Sequence, residues 1–247
     1  MSYEVLENLI RSSSNLVCMC GLGMYKENGY RNFREDEEAY EIEMSYGYSP
    51  EELFSSTFFH TRTELFYKYY KDSMLQLDII PNKSFEALAK LEDMGKLKCT
   101  VTRSVHGALE EVGCRKVVNM LGTITDNTCP RCHKKYPVEF IKNSRKVPLC
   151  ERCNATIRPG VTLIGEMIAN SAITEAATAI GNADTLLVLG CNINVLLAEK
   201  FLQYYNGDNL ILITKEKHYT DKLADYVIHE AVEDVLPRVV DRLLVLN

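Results

Sequence analysis

Nowhere in the 247 residues does an apolar run approach the roughly 18 needed to cross a bilayer, which excludes a membrane-spanning helix. The opening segment MSYEVLENLIRSSS lacks the basic, apolar and small-residue succession of a secretion signal, so the expected location is the cytoplasm. Positive charge is scarce as well. Lys and Arg number 28 against 34 Asp and Glu, a net charge of −6. Nucleic-acid binding draws mainly on clustered cations, so neither DNA nor RNA is expected as a partner, and no membrane is. Internal repeats and low-complexity linkers are absent too.

What the chain does have is enough apolar residue, 46%, to bury a substantial core, at a length that suits one large α/β domain with an insertion. An amphipathic stretch with Val5, Leu6, Leu9 and Ile10 precedes the apolar run Asn15 to Cys20, which ends at Gly21 and Gly23. The pattern predicts helix, strand and glycine turn. Further strand-like runs are Leu97 to Thr102, Lys116 to Leu121, Asp184 to Gly190, Asn209 to Thr214 and Asp225 to His229, mostly separated by helical patterns. Continuous apolar strands alternating with helices indicate a mostly parallel sheet buried on both faces. Ser49, Pro50 and Glu52 form a helix-start signal, followed by aromatic-rich helices through Tyr70 or beyond. A helix over Phe85 to Met94 is expected to bury Phe85, Leu88 and Leu91 and to stop at Gly95.

Nine cysteines in a chain without a secretion signal point to thiols or metal ligands rather than disulfides. Four of them form two C-x2-C pairs, Cys129 with Cys132 and Cys150 with Cys153, seventeen residues apart. The surrounding segment, Thr125 to Arg158, is rich in Cys, Pro, Lys, Arg and Asn and too poor in apolar residues to organise itself. The spacing is that of a four-thiolate zinc ribbon, whose closed tetrahedral shell leaves no position for substrate. The expected zinc is therefore structural. His133 adjoins Cys132 but is not needed as a ligand. The other five cysteines, Cys18, Cys20, Cys99, Cys114 and Cys191, mostly lie in apolar strands or glycine turns and read as buried inert thiols.

The turn Gly21 to Gly23 follows the first strand and could bring backbone N–H groups to a pyrophosphate, although Lys26 stands where the third glycine of G-x-G-x-x-G would be. Taken with its surroundings, GLGMYKENGYRNFR (Gly21 to Arg34) resembles the GAGISxxSGIPDFR opening of the sirtuins, the NAD-dependent protein deacylases. PNKSFEALAKLEDMGKLKCTVT, the four cysteines, RPGVTLIGE and LGCNINVLLA are similar to later family segments, so the resemblance spans nearly the whole chain. It implies a Rossmann-type, doubly wound domain built from residues 1–35, 76–124 and 159–247. A helical insertion, 36–75, and a zinc ribbon, 125–158, would form the small domain. NAD, ADP-ribose or a related nucleotide would lie in the cleft between them, held by Gly21, Gly23, Phe33, Arg34, Arg103, Ser104, Gly190, Cys191, Asn192 and Thr214. An acylated protein or peptide is the other partner the resemblance implies.

The family's catalytic pattern is altered. Its QNID stretch reads Arg103, Ser104, Val105, His106, and its general-base histidine aligns with Leu121. Tyr25 replaces a small serine and is expected to crowd the cleft. Loss of a general base costs about 10²–10⁴ in rate, so the expected function is a sirtuin-like pseudoenzyme: a zinc protein that binds NAD or ADP-ribose with little or no ordinary lysine deacylation. The alternative is an active NAD-consuming transferase, an ADP-ribosyltransferase, NAD hydrolase or deacylase, with His106, Glu27 or Glu166 as acid or base. His60, His218 and His229 carry no motif and read as surface or loop residues.

Overall fold

The computed structural model describes residues 3–27, 30, 36–76, 80–193 and 196–245. In chain order the first half runs α1 (Tyr3–Ser12), β1 (Leu16–Cys20), α2 (Leu22–Lys26), α3 (Asp36–Tyr46), α4 (Pro50–Leu53), α5 (Ser56–Thr61), α6 (Thr63–Tyr69), α7 (Lys83–Asp93) and β2 (Leu97–Thr102). The second half continues with α8 (Ala108–Glu111), β3 (Val117–Asn119), β4 (Asn127–Thr128), β5 (Lys135–Tyr136), α9 (Val138–Lys142), α10 (Asn170–Gly181), β6 (Thr185–Leu189), α11 (Leu196–Leu202), β7 (Asn209–Ile213), β8 (Tyr226–Ile228) and α12 (Val232–Val245).

Side chains alternate across a strand, and β1 shows what that does in a sheet covered on both sides. Leu16, Cys18 and Cys20 pack on one face with Leu6 and Ile10 of α1, Phe85 and Leu88 of α7, and Val235 and Val239 of α12. Val17 and Met19 pack on the other with Val101, Leu186, Val188 and the α10 residues Ala176 and Ile180. Every residue of β1 and of β6 is buried, which is why both read as unbroken apolar runs rather than alternating ones.

The six strands of the main sheet are all parallel, in the order β3-β2-β1-β6-β7-β8, while β4 and β5 pair antiparallel in a separate two-stranded ribbon. This is a doubly wound arrangement in which the chain reverses direction across the sheet between β1 and β6. Such a reversal opens a crevice beyond the carboxyl ends of the strands. The strand expected over Lys116 to Leu121 is shorter, because Leu121 and Gly122 leave the ladder in a turn. Gly122 has φ +72, and a Cβ there would lie 2.1 Å from the Gly160 carbonyl oxygen.

A separate apolar cluster joins the segment after Ser49 to the cysteine-rich segment. Ser49 caps α4 in a reciprocal box with Glu52, and Pro50 occupies its first turn. The helix is only one turn long, since Ser55 caps α5 immediately afterwards. These short helices bring Phe54, Phe59, Phe66, Tyr67 and Tyr70 against Cys129, Ile141, Cys150 and Ile157. Phe59 and Phe66 meet edge to face at 5.1 Å, and the Tyr67 hydroxyl donates to the Ile157 carbonyl. Farther on, Asn82 caps α7, and Gly95 at φ +70 ends it. No helix among the described residues is long and apolar enough to cross a membrane.

Candidate functional site

The crevice holds a cavity of 380 Å³ lined by Gly21 and Gly23 after β1, Thr102, Arg103 and Ser104 at and after the end of β2, Gly190, Cys191 and Asn192 after β6, and Thr214 after β7. The glycines are there because two turns interlock. Gly21 N–H donates to Leu189 O at 2.8 Å and Gly23 N–H to Gly190 O at 2.7 Å. A Cβ on Gly23 would come within 2.4 Å of that Gly190 oxygen, and one on Gly21 within 2.2 Å of Cys191 Cβ. Gly190 itself is left-handed, φ +63, a conformation that costs glycine little.

Lys26 and Glu27 at the end of α2 and Lys215 and Glu216 beyond β7 also line this cavity; the spacing of apolar runs could not have found the last two, which the sheet brings beside the glycine turn. With Arg103 the wall carries three cations against two carboxylates, a balance that suits a phosphate-bearing ligand. Glu27 is engaged elsewhere. Its carboxylate accepts the N–H groups of Val232 and Glu233 at the start of α12, both at 3.2 Å, with Lys215 Nζ at 3.9 Å. Burial pushes its carboxyl up, against the pull of those N–H groups and of Lys215. Burial likewise pushes the Cys191 thiol up to about 12, as expected of an inert thiol.

Tyr25 does not crowd the cleft. Its ring lies in the core beneath α2, 5.0 Å from Phe85, and its hydroxyl sits 3.3 Å from Thr102 Oγ1. As the helix turns, this side chain faces the sheet, so the larger residue was accommodated by packing rather than by filling the crevice.

A second cavity of 340 Å³ adjoins the first, with Leu22, Arg103 and Ser104 lining both. Leu121, His106, Tyr30, Val105 and Glu166 are among its other walls. The loop that carries His106 is shaped locally: Ser104 N–H donates to Thr102 Oγ1 at 3.1 Å, and His106 N–H donates to Ser104 Oγ at 3.3 Å. Neither ring nitrogen of His106 has a hydrogen-bond partner, and both are buried. Burial lowers the imidazole to about 4. Glu166, by contrast, takes Arg158 Nη2 at 2.5 Å and Leu163 N–H at 2.7 Å on one oxygen.

The four ribbon cysteines converge. Their sulfurs all lie within 4.8 Å of one another, with Cys129–Cys153 and Cys132–Cys150 at 3.4 Å. Tetrahedral Zn–S bonds of about 2.3 Å place sulfurs about 3.8 Å apart, so the cluster fits a zinc ion. The two halves repeat one turn. His133 N–H donates to Cys129 O and Asn154 N–H to Cys150 O, and both residues are left-handed, φ 59 and 58. His133 is thus an exposed turn residue outside the cluster. Although burial opposes ionisation of Cys150, the Tyr136 hydroxyl at 3.1 Å and the N–H groups of Arg152 and Cys153 outweigh it and bring the thiol down to about 6. A thiolate is the form that binds metal.

The structure gathers Gly21, Gly23, Arg103, Ser104, Gly190, Cys191, Asn192 and Thr214 around the first cavity and His106 with Leu121 around the second. Phe33 and Arg34 lie outside the described residues. His218 is more than a loop residue, for its ring accepts the Thr220 N–H and caps the following turn.

A model of the Sir2 family matches residues 21–196. A protein of Clostridium perfringens named NAD-dependent protein deacetylase is 35% identical over 237 residues, covering 96% of this chain and 97% of that protein. A sirtuin structure solved to explain sirtuin substrate affinity superposes with a TM-score of 0.87 at 28% identity, over 98% of this chain and 99% of the other. The crystal structure of a Sir2 homolog–NAD complex superposes with a TM-score of 0.84 at 27% identity, over 98% and 94%.

Proposed function

This chain belongs to the Sir2 family, and on that premise we propose that it binds NAD or ADP-ribose in the first cavity while carrying out ordinary NAD-dependent lysine deacylation slowly or not at all. The ribbon is proposed to hold one structural zinc on Cys129, Cys132, Cys150 and Cys153. An acylated lysine peptide is the proposed partner along Thr162 to Glu166, and the cytoplasm the proposed location.

The observation that carries the reading is Leu121 in the wall of the second cavity, at the position that aligns with the family's general base. A leucine has no lone pair to accept the proton of a ribose hydroxyl. Other bases are poorly placed to replace it. Glu27 is bound to the start of α12 and Glu166 to Arg158 and Leu163. His106 has unpartnered ring nitrogens, and this favours the second reading, an NAD-consuming enzyme that uses the imidazole. An imidazole lowered to about 4 is nevertheless a weak base at neutral pH.

Two measurements separate these readings. Ligand-linked stabilisation follows affinity, so ADP-ribose and NAD are expected to raise the thermal midpoint; no rise with either rejects nucleotide binding. Steady-state nicotinamide release from NAD with an acetyl-lysine peptide, which requires the ribose hydroxyl to be activated before turnover can finish, is expected at least about 10²-fold below an ordinary sirtuin, the low end of losing a general base. Release at an ordinary rate that is abolished in His106→Ala establishes the second reading instead.

A further inference from the structure

Charge in this chain is segregated. Between Glu35 and Thr61 there are eight Asp and Glu and no Lys or Arg, whereas Thr125 to Arg158 holds eight Lys and Arg against three Asp and Glu. Both segments contribute to the apolar cluster that joins the short helices to the cysteine-rich segment. An acidic and a basic surface therefore share one small unit.

The acidic surface is α3. Its inner face is Ile42 and Tyr46, four residues apart and partly buried against that cluster. Glu37, Tyr40, Glu41 and Met44 fall at the spacing of a single helix face. All four are exposed, Tyr40 by 66% and Met44 by 70%. Among the described residues, no cation pairs with Glu37 or Glu41.

The basic surface begins where this helix ends. Tyr46 donates its hydroxyl to Asp72 at 3.0 Å and lies 4.5 Å beneath the Lys68 ammonium. Lys68 and Asp72 in turn line a surface groove of 560 Å³ with Glu64, Lys71, Arg145 and Lys146. Both carboxylates of the groove are matched within it, Glu64 by Lys146 at 2.9 Å and Asp72 by Lys68 at 3.5 Å. Lys71 donates to the carbonyls of Ser144 and Lys146, at 2.8 and 2.9 Å, and no carboxylate among the described residues pairs with the exposed Arg145. The groove is left with the positive charge of Lys71 and Arg145.

A partner of one charge would need only one of these surfaces. Two surfaces of opposite charge set side by side are what a pairing of identical faces requires, because a twofold axis turns each onto its opposite on the other copy. Exposed ion pairs alone hold weakly, and here apolar anchors accompany them: Tyr, Met and Arg are residue types enriched in interfaces. We propose that two copies of this chain pair about a twofold axis, with α3 of each laid along the groove of the other. Glu37 and Glu41 then face Arg145 and Lys71, and Tyr40 and Met44 are covered at the contact.

The test is the oligomeric state of the whole chain, by sedimentation velocity through the micromolar range. The wild type is expected to form a concentration-dependent dimer that added salt weakens, since exposed charges are screened. Glu37→Lys with Glu41→Lys sets like charges together at both contacts, and so does Arg145→Glu. Each is expected to weaken the dimer at least about tenfold. Mixed together, the two variants carry complementary faces at both contacts, so a heterodimer of near wild-type affinity is expected. Circular dichroism checks each fold, and because the reversals lie on separate segments, a variant that misfolds leaves the other to decide. A wild type that stays monomeric at every concentration, or a dimer that either folded reversal leaves intact, overturns the proposal. Dissociation in both variants without recovery on mixing overturns the reciprocal pairing.

Discussion

In the thiol ribbon each pair of ligands comes from one four-residue turn, whereas the cleft is assembled from residues as distant in sequence as Cys20 and Thr214. The ribbon repeats the same backbone geometry twice, with His133 and Asn154 in equivalent left-handed positions. The cleft repeats nothing. Its shape depends on two glycine turns pressed together, a carboxylate tied to a distant helix and an imidazole left unpaired. Local spacing is enough to place four sulfurs, and a single bound ion can then organise a segment with little core of its own. A cleft needs the whole sheet in register before any wall exists.

The largest expected effect breaks the ribbon. Structural zinc in small domains contributes about 10–16 kcal/mol of apparent binding energy at neutral pH, so a chelator or Cys150→Ala should release the metal and unfold the segment around Thr125 to Arg158. Metal analysis should find one zinc per chain before treatment, and circular dichroism with limited proteolysis should show the loss. Unchanged protease resistance would reject the structural role.

A smaller effect marks the cleft. Folding holds His106 at about 4 against a usual 6.5, so between those values the unfolded chain binds a proton that the folded chain refuses. The proton-linked cost of burying it is therefore absent above pH 6.5, and stability declines as pH falls toward 4. The loss is about 3 kcal/mol at about 1.4 kcal/mol per unit. Denaturant unfolding of His106→Leu should lack this acid slope; an identical slope in both proteins would place the titration elsewhere.

Gly23→Ala tests the interlock, since the added Cβ meets backbone at 2.4 Å. Overpacking of this kind costs roughly 1–3 kcal/mol, and the variant should also lose ADP-ribose binding. Wild-type stability and affinity would mean that the two turns can separate freely. The mildest change returns to the ribbon. Tyr136→Phe removes the hydroxyl that bonds Cys150 Sγ and accepts the Glu151 N–H at 2.9 Å. Loss of such an outer contact weakens metal binding on the order of tenfold, to be read by competition with a chromophoric chelator, where an unchanged constant would remove Tyr136 from the site.

Much of the fold was legible because its signals are short in range. The buried strands declared themselves as apolar runs, and Ser49 with Glu52 marked a helix start. That α4 stops after one turn was not legible, because Ser55 begins a new helix within a stretch that reads as continuous. Tyr25 was misplaced for a similar reason. Sequence position puts it beside the glycine turn, but the direction of its side chain depends on how α2 lies against the sheet, and that sends it to Phe85.

The sequence by itself determined the two C-x2-C pairs and the order along the chain of the six sheet strands, and it carries the expectation that Arg103, Ser104, His106 and Leu121 depart from the family pattern. Only the tertiary structure decided that Leu121 and His106 share one cavity, that Glu27 is spent on the start of α12, and that the imidazole keeps both nitrogens unpaired. The physical reason is the range of the interactions. A knuckle is specified by neighbours along the chain, while burial and pairing in a cleft are properties of surfaces that meet only after the sheet has formed.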